Sequence, residues 1–223
     1  MTVNVAQACV ARPAPPGLRH RTCLIPAATR YTRAMSDLDI AVSIALGIGL
    51  AAATGFRVFL PLLVASVAAY TGHLQLSDNF TWLGSLPAMT MLAVAACVEV
   101  LAYYIPAVDN LLDTLTTPAA LVAGTVIAAA TITNLPPVVK WATAIIAGGG
   151  VAGITQAMTA LLRAKSTVVT GGLGNPVLAT LELAGALLLA LLALIAPLLA
   201  VVLIVAFCWV AMRVARRTLR RSP

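Results

Sequence analysis

The polar and apolar positions of this chain are sorted into blocks rather than alternating, and the apolar blocks are long enough to cross a membrane. Six follow one another, at residues 40–70, 87–105, 117–133, 141–162, 175–196 and 197–212. A helix needs about 20 consecutive apolar residues to span the hydrocarbon, and nothing in the blocks reads as an alternating strand. The pattern predicts an all-α membrane protein, a bundle of about six transmembrane helices.

The first block is too long for one straight crossing. Its thirty-one residues would reach about 46 Å as a helix, against a hydrocarbon core of about 30 Å. It also contains one charge, Arg57, between Gly55 and Pro61. Proline lacks an N–H, and its ring clashes with the carbonyl four residues earlier, here that of Arg57. A break at Gly55 and Pro61, with Arg57 at the defect, is therefore expected; a tilted helix with a snorkelling arginine is the alternative. Block 141–162 carries a second weak point at Gly148, Gly149 and Gly150. Three glycines permit either close helix packing or another break.

Punctuation between blocks is consistent with this division. Pro87 suits a first helical turn, Thr117-Pro118 and Asn175-Pro176 read as a cap followed by a first-turn proline, and Pro197 makes a tight turn. Between the second and third blocks, Val108, Leu111, Leu112 and Leu115 recur at helical spacing, with Asp109 and Asp113 on another face. This predicts a short amphipathic helix at the interface. Its aspartates form either a cation or proton site or a solvated acidic face.

Composition excludes a soluble domain: mean hydropathy is +1.00 and only 9% of residues are charged, against about 25% in soluble domains. The net charge of +7 does not indicate nucleic acid, because five arginines lie in residues 1–34 and five in residues 213–221. Such flanking clusters read as orientation signals. Residues 1–34 are basic, proline-rich and without an apolar run, so a disordered extension is expected there, with Met35 as a plausible true start and 35–223 as the membrane domain. Cys9, Cys23, Cys97 and Cys208 show neither close pairing nor metal-ligand spacing, and no metal or cofactor is expected.

Two topologies fit the charges. Six crossings place both termini and the Arg163/Lys165 loop in the cytoplasm of a bacterial inner membrane, with Lys140 alone outside. Re-entrant hairpins breaking at Gly55–Arg57 and Gly148–Gly150 would leave four full spans and every flanking Lys and Arg cytoplasmic. Residues 47–54 resemble 148–155, and 83–87 resemble 173–176, which suggests a 3+3 inverted repeat.

Charges inside apolar segments mark candidate sites, because each costs about 3 kcal/mol at a bilayer centre on insertion scales. Besides Arg57 these are Glu99 and Glu182, each about 9 Å deep by helical rise. Only a broken first segment would let Arg57 reach them. The candidate polar site is thus Arg57, Glu99, Asp109, Asp113 and Glu182. A small transporter or permeation protein is the leading reading, with a structural or partner-binding protein locked by its buried charges as the alternative. No metalloprotease helix, nucleophile elbow or cysteine–histidine pairing is present, so no enzyme is expected. The expected partners are the lipid bilayer and an ion or small-molecule substrate, with a second copy of the chain as a further candidate.

Gly55-Phe-Arg-Val-Phe-Leu-Pro61, then Pro106-Ala-Val-Asp-Asn-Leu-Leu-Asp113 with Thr117-Pro118, then Asn175-Pro176 leading to Glu182, resemble the signature stretches of an uncharacterised bacterial membrane family, domain of unknown function 4126. The resemblance covers residues 36–212. It implies an integral membrane protein and carries no activity. Gly55, Arg57, Pro61, Asp109, Asp113, Asn175, Pro176 and Glu182 fall on its motif positions; Glu99 is not assigned by it.

Overall fold

The structure, a computed structural model, describes residues 27–133 and 135–219, with side chains from Asp37 onward except those of residues 106–113, 134, 211, 212 and 214–219. The chain divides between Met35 and Ser36, and the architecture below belongs to the second unit. Among the described residues it is helical without strands: α1 Ala27–Thr54, α2 Phe59–Tyr70, a 3-10 helix Asp78–Gly84, α3 Leu86–Ala102, α4 Pro106–Thr131, α5 Pro137–Thr143, a π turn Ala144–Gly149, α6 Gly150–Thr170, α7 Asn175–Ile195 and α8 Pro197–Leu219.

Segment 40–70 is two helices. α1 stops at Thr54, residues 55–58 leave the helical path, and α2 begins at Phe59. Pro61 then lies in the first turn of α2, where a missing N–H forfeits no intrahelical bond. Gly55 lies against α6 so closely that an added Cβ would come within 2.5 Å of the Ala152 carbonyl and the Thr155 Cβ.

The neighbours of α1 and α2 fix the direction of both. A Cβ on Gly47 would meet Thr131 and Ala128 near the end of α4, and one on Gly49 would meet Ala193 of α7 and Ala200 of α8. α2 returns to the same end, where Ser66 donates to the Leu83 carbonyl at 2.6 Å and the Ser77 N–H donates to the Ala130 carbonyl at 2.8 Å. The pair forms a helical hairpin with both arms open to one end of the bundle and its tip, residues 55–58, pointing towards the other. α3, α4, the α5–α6 rod, α7 and α8 then alternate in direction.

Four stretches are long and apolar enough to cross a membrane: Asp37–Thr54, Thr114–Thr131, Pro137–Thr170 and Asn175–Ile195. The count becomes five if α3 and the 3-10 helix before it, bent by 65°, form one span. The twelve residues of α2 and the apolar Pro197–Val210 part of α8 are shorter, so six full spans are not reached by length and composition. The protein is an all-helical membrane protein with an alanine-rich interior. Leu50, Ala51, Ala53, Ala65, Ala190 and Ala193 pack in one cluster, while Met91, Leu101, Ile146 and Leu188 point outward, as small-residue interfaces in lipid do.

Two expectations are corrected. The amphipathic helix and the third segment are one helix, α4, with Pro118 inside it. A membrane helix absorbs a proline because neighbouring helices and Ser/Thr side chains re-satisfy the freed backbone groups. The chain does not break at Gly148, Gly149 and Gly150; it widens into the π turn and continues as one rod over Pro137–Thr170. There Gly148 and Gly149 serve close packing. A Cβ on Gly148 would lie 2.6 Å from the Gly124 carbonyl, and one on Gly149 would lie 2.6 Å from Thr125 Oγ1. The first glycine-rich segment folds back, whereas the second runs through.

Gly148→Val should destabilise the protein by about 1–3 kcal/mol, the usual effect of overpacking, read as a lower thermal midpoint in detergent. Gly150→Ala, where an added Cβ meets nothing within 4 Å, should leave the midpoint unchanged. Equal effects at the two positions would contradict the packing account.

Candidate functional site

The hairpin tip carries Arg57 into the densest polar cluster of the bundle. Arg57 is only 1% exposed. Its Nη2 donates to the Ala179 carbonyl of α7 at 2.8 Å, and the same nitrogen lies 4.0 Å from Glu182 Oε2. Its guanidinium carbon lies 3.9 Å from the centre of the Tyr103 ring, a stacking contact that a planar, weakly hydrated cation makes well. Arg57 Nε and Nη1 are buried and have no hydrogen-bond partner among the described residues.

Glu99 holds the tip from the side of α3. Its carboxylate accepts the Val58 N–H at 2.7 Å and the Phe59 N–H at 3.0 Å. These amides open α2, where no intrahelical acceptor exists and the helix dipole favours negative charge. Glu99 therefore caps from another helix the end that the break exposes.

Glu182, one turn beyond Ala179, serves the second arginine. Arg163 Nε donates to Glu182 Oε1 at 3.1 Å, and Arg163 Nη2 donates to Oε2, the two-pronged geometry that guanidinium and carboxylate favour. The Arg163 guanidinium carbon is also 4.0 Å from the centre of the Tyr103 ring. One aromatic ring and one carboxylate are thus shared by two arginines. Tyr103 Oη and Gln156 Nε2 both donate to Thr116 Oγ1, at 3.3 and 3.0 Å, which extends the cluster to α4 and α6.

Of the residues singled out in the sequence, Arg57, Glu99 and Glu182 come together here. The side chains of Asp109 and Asp113 lie outside the described residues. Gly55 and Pro61 flank the break, whereas Gly148 and Gly149 lie at the contact between α4 and the rod and Gly150 faces open space. Arg163 and Tyr103 were missed. Arg163 was read as opening a loop because the apolar run ends at Leu162, yet α6 continues to Thr170 and leaves it 3% exposed. Thr155, Gln156, Thr159 and Arg163 recur at helical spacing and are all buried; that polar stripe was the available signal. Lys140 is likewise buried, donating to Ser77 Oγ at the opposite end of the bundle.

An apolar cleft of about 240 Å³ flanks the tip. Phe56, Thr155, Gly185, Leu189 and Phe207 are among its walls. Among the described residues, no three His, Cys, Asp or Glu side chains could hold a metal ion together.

Residues 44–217 match the family described as Domain of unknown function (DUF4126), and the chain belongs to that family. No curated protein and no solved structure matches it.

Removing the Glu99 carboxylate strands one buried and one part-buried amide. Glu99→Ala should lower stability by about 3 kcal/mol and expose residues 55–58 to proteolysis in detergent. Glu99→Gln, whose amide oxygen still accepts, should lose less. If the two substitutions are equal, or neither opens the tip, Glu99 is not what anchors the hairpin.

Proposed function

We propose that this family member is a small transporter or permeation protein in which α1–α2 dips into the membrane as a re-entrant hairpin and presents Arg57 to the permeating species. The observation that carries this reading is the state of Arg57, a guanidinium 1% exposed whose Nε and Nη1 have no hydrogen-bond partner among the described residues. Charges at membrane depth face protein interiors or wet cavities and mark pathways. Irregular backbone at that depth is tolerated where it is enclosed by protein. The tip satisfies both conditions: residues 55–58 are non-helical, and α1, α3 and α7 supply their polar partners.

The end of the bundle bearing Arg163, Lys165 and Arg213 is assigned to the cytoplasm of a bacterial inner membrane by the positive-inside preference. Asp37 then faces the other side, which departs from the expectation of two cytoplasmic termini. The arginines of residues 1–34 favour the opposite orientation. In a cysteine-free background, cysteines at Asp37 and Asp78 should be labelled from one side and a cysteine at Ser166 from the other. Labelling of Asp37 together with Ser166 would mean that the first segment crosses and the hairpin reading fails.

A second reading has its own support, since Glu99, Arg163 and Glu182 are spent on bonds between helices. A structural or partner-binding protein would need no more. Flux separates the two. Purified protein in liposomes should move at least one member of a panel of ions and metabolites, and Arg57→Ala should reduce that flux by about tenfold or more at normal abundance. Loss of abundance without any wild-type flux supports the structural reading instead.

A further inference from the structure

We infer that Arg57 anchors a site for a small oxyanion, a carboxylate or phosphate group, at the tip of the α1–α2 hairpin. The inference rests on the permeation reading and names the class of species that the site takes.

A guanidinium carries five N–H donors in one plane. Nη2 spends one on the Ala179 carbonyl, while the single donor of Nε and the two of Nη1 meet no acceptor among the described residues. Tyr103 stacks on the group and accepts none of those in-plane hydrogens by doing so. The nearby carboxylates are engaged elsewhere: Glu99 with the amides of Val58 and Phe59, and Glu182 with Nε and Nη2 of Arg163. Glu182 reaches Arg57 only at 4.0 Å, and at the nitrogen already bonded. Leaving charged donors buried and unmade is more costly than leaving neutral ones so. Planar forks of this kind match the oxygens of carboxylate and phosphate.

A metal cation fits poorly among the described residues, because the buried edge formed by Arg57 Nε and Nη1 is cationic and each oxygen of Glu99 and Glu182 already accepts a hydrogen bond. Charge balance sets the strength of binding. Among the described residues, Arg57 and Arg163 are offset by Glu99 and Glu182, so a monoanion leaves these four groups with one excess negative charge. Binding is therefore weak and readily reversed, as a conducted species requires.

The test measures binding rather than flux. Thermal midpoints of the detergent-purified full chain are followed against sodium phosphate and sodium acetate, with sodium chloride at equal ionic strength as reference. A parallel series uses micelles doped with phosphatidylglycerol or phosphatidylcholine. Wild type and Lys165→Gln, a change at an exposed position, should be stabilised in a saturable way. Arg57→Lys and Arg57→Gln should need about tenfold more oxyanion or show no response. Stabilisation by phosphate or acetate identifies a soluble species, and stabilisation by phosphatidylglycerol alone identifies a lipid headgroup. A response no larger than that to chloride, or one unchanged by the Arg57 variants, means that water fills the donors and overturns the inference. Should the variants fail to fold, the arginine Nε resonances of ¹⁵N-labelled wild type decide: a buried Nε signal shifts on adding phosphate or acetate, or in phosphatidylglycerol micelles relative to phosphatidylcholine, or the inference falls. Cation flux without oxyanion binding would overturn the inference and leave the permeation reading standing. Oxyanion binding without flux of any panel member would do the reverse.

Discussion

A guanidinium buried far from water is the constraint around which this bundle is arranged. Arg57 cannot lose its proton and cannot reach solvent, so every element near it supplies something: a carbonyl from α7, an aromatic ring from the end of α3, a carboxylate 4.0 Å away. The backbone that delivers it brings a further demand. Breaking a helix inside a membrane exposes amides with no water to accept them, each worth several kcal/mol if left unsatisfied. Glu99 meets that demand at Val58 and Phe59. The break and the charge are thus coupled, since neither is tolerable without partners drawn from helices distant in sequence.

The same logic explains the residue sizes around the tip. Bringing α3, α6 and α7 close to one loop requires narrow helix faces, and the contacts are accordingly glycine, alanine and threonine. Gly55 against Ala152 and Thr155, and Gly124 against Gly148, are positions where an added Cβ would collide with backbone. The π turn Ala144–Gly149 lies within this tight region. Wide turns of this kind are often found at functional sites; here it lets the rod pass α4 at backbone distance without breaking.

Much of this was legible in the chain and some was not, for identifiable reasons. The all-helical class follows from block length, and the division of the first segment follows from Pro61 and from thirty-one residues being too many for one straight crossing. The fate of the glycines at 148–150 was not legible, because glycine at a close contact and glycine at a break leave the same trace in a single sequence. Pro118 misled in the other direction, since proline reads as a helix start although apolar surroundings hold a helix through it. Arg163 was hidden because an apolar run ends before a helix does. Its stripe with Thr155, Gln156 and Thr159 was visible, but stripes are easily set aside in a chain that is apolar nearly everywhere. Tyr103 left no signal, since its role depends on two arginines that the fold alone brings together.

The arginines are not equivalent, and the difference lies in Glu182. Arg163 holds both of its oxygens, whereas Arg57 approaches only Oε2. A carboxylate that favours one of two cations sharing an aromatic ring leaves the other with charge but without a full complement of bonds. In water such an imbalance would vanish into hydration; in a protein interior the effective dielectric is far lower and it persists. Had Glu182 been divided equally, both guanidiniums would be half-satisfied and the cluster would be a plain crosslink between α2, α6 and α7. Because it is divided unequally, Arg57, the residue carried by the tip of the hairpin, keeps two buried nitrogens without a hydrogen-bond partner among the described residues.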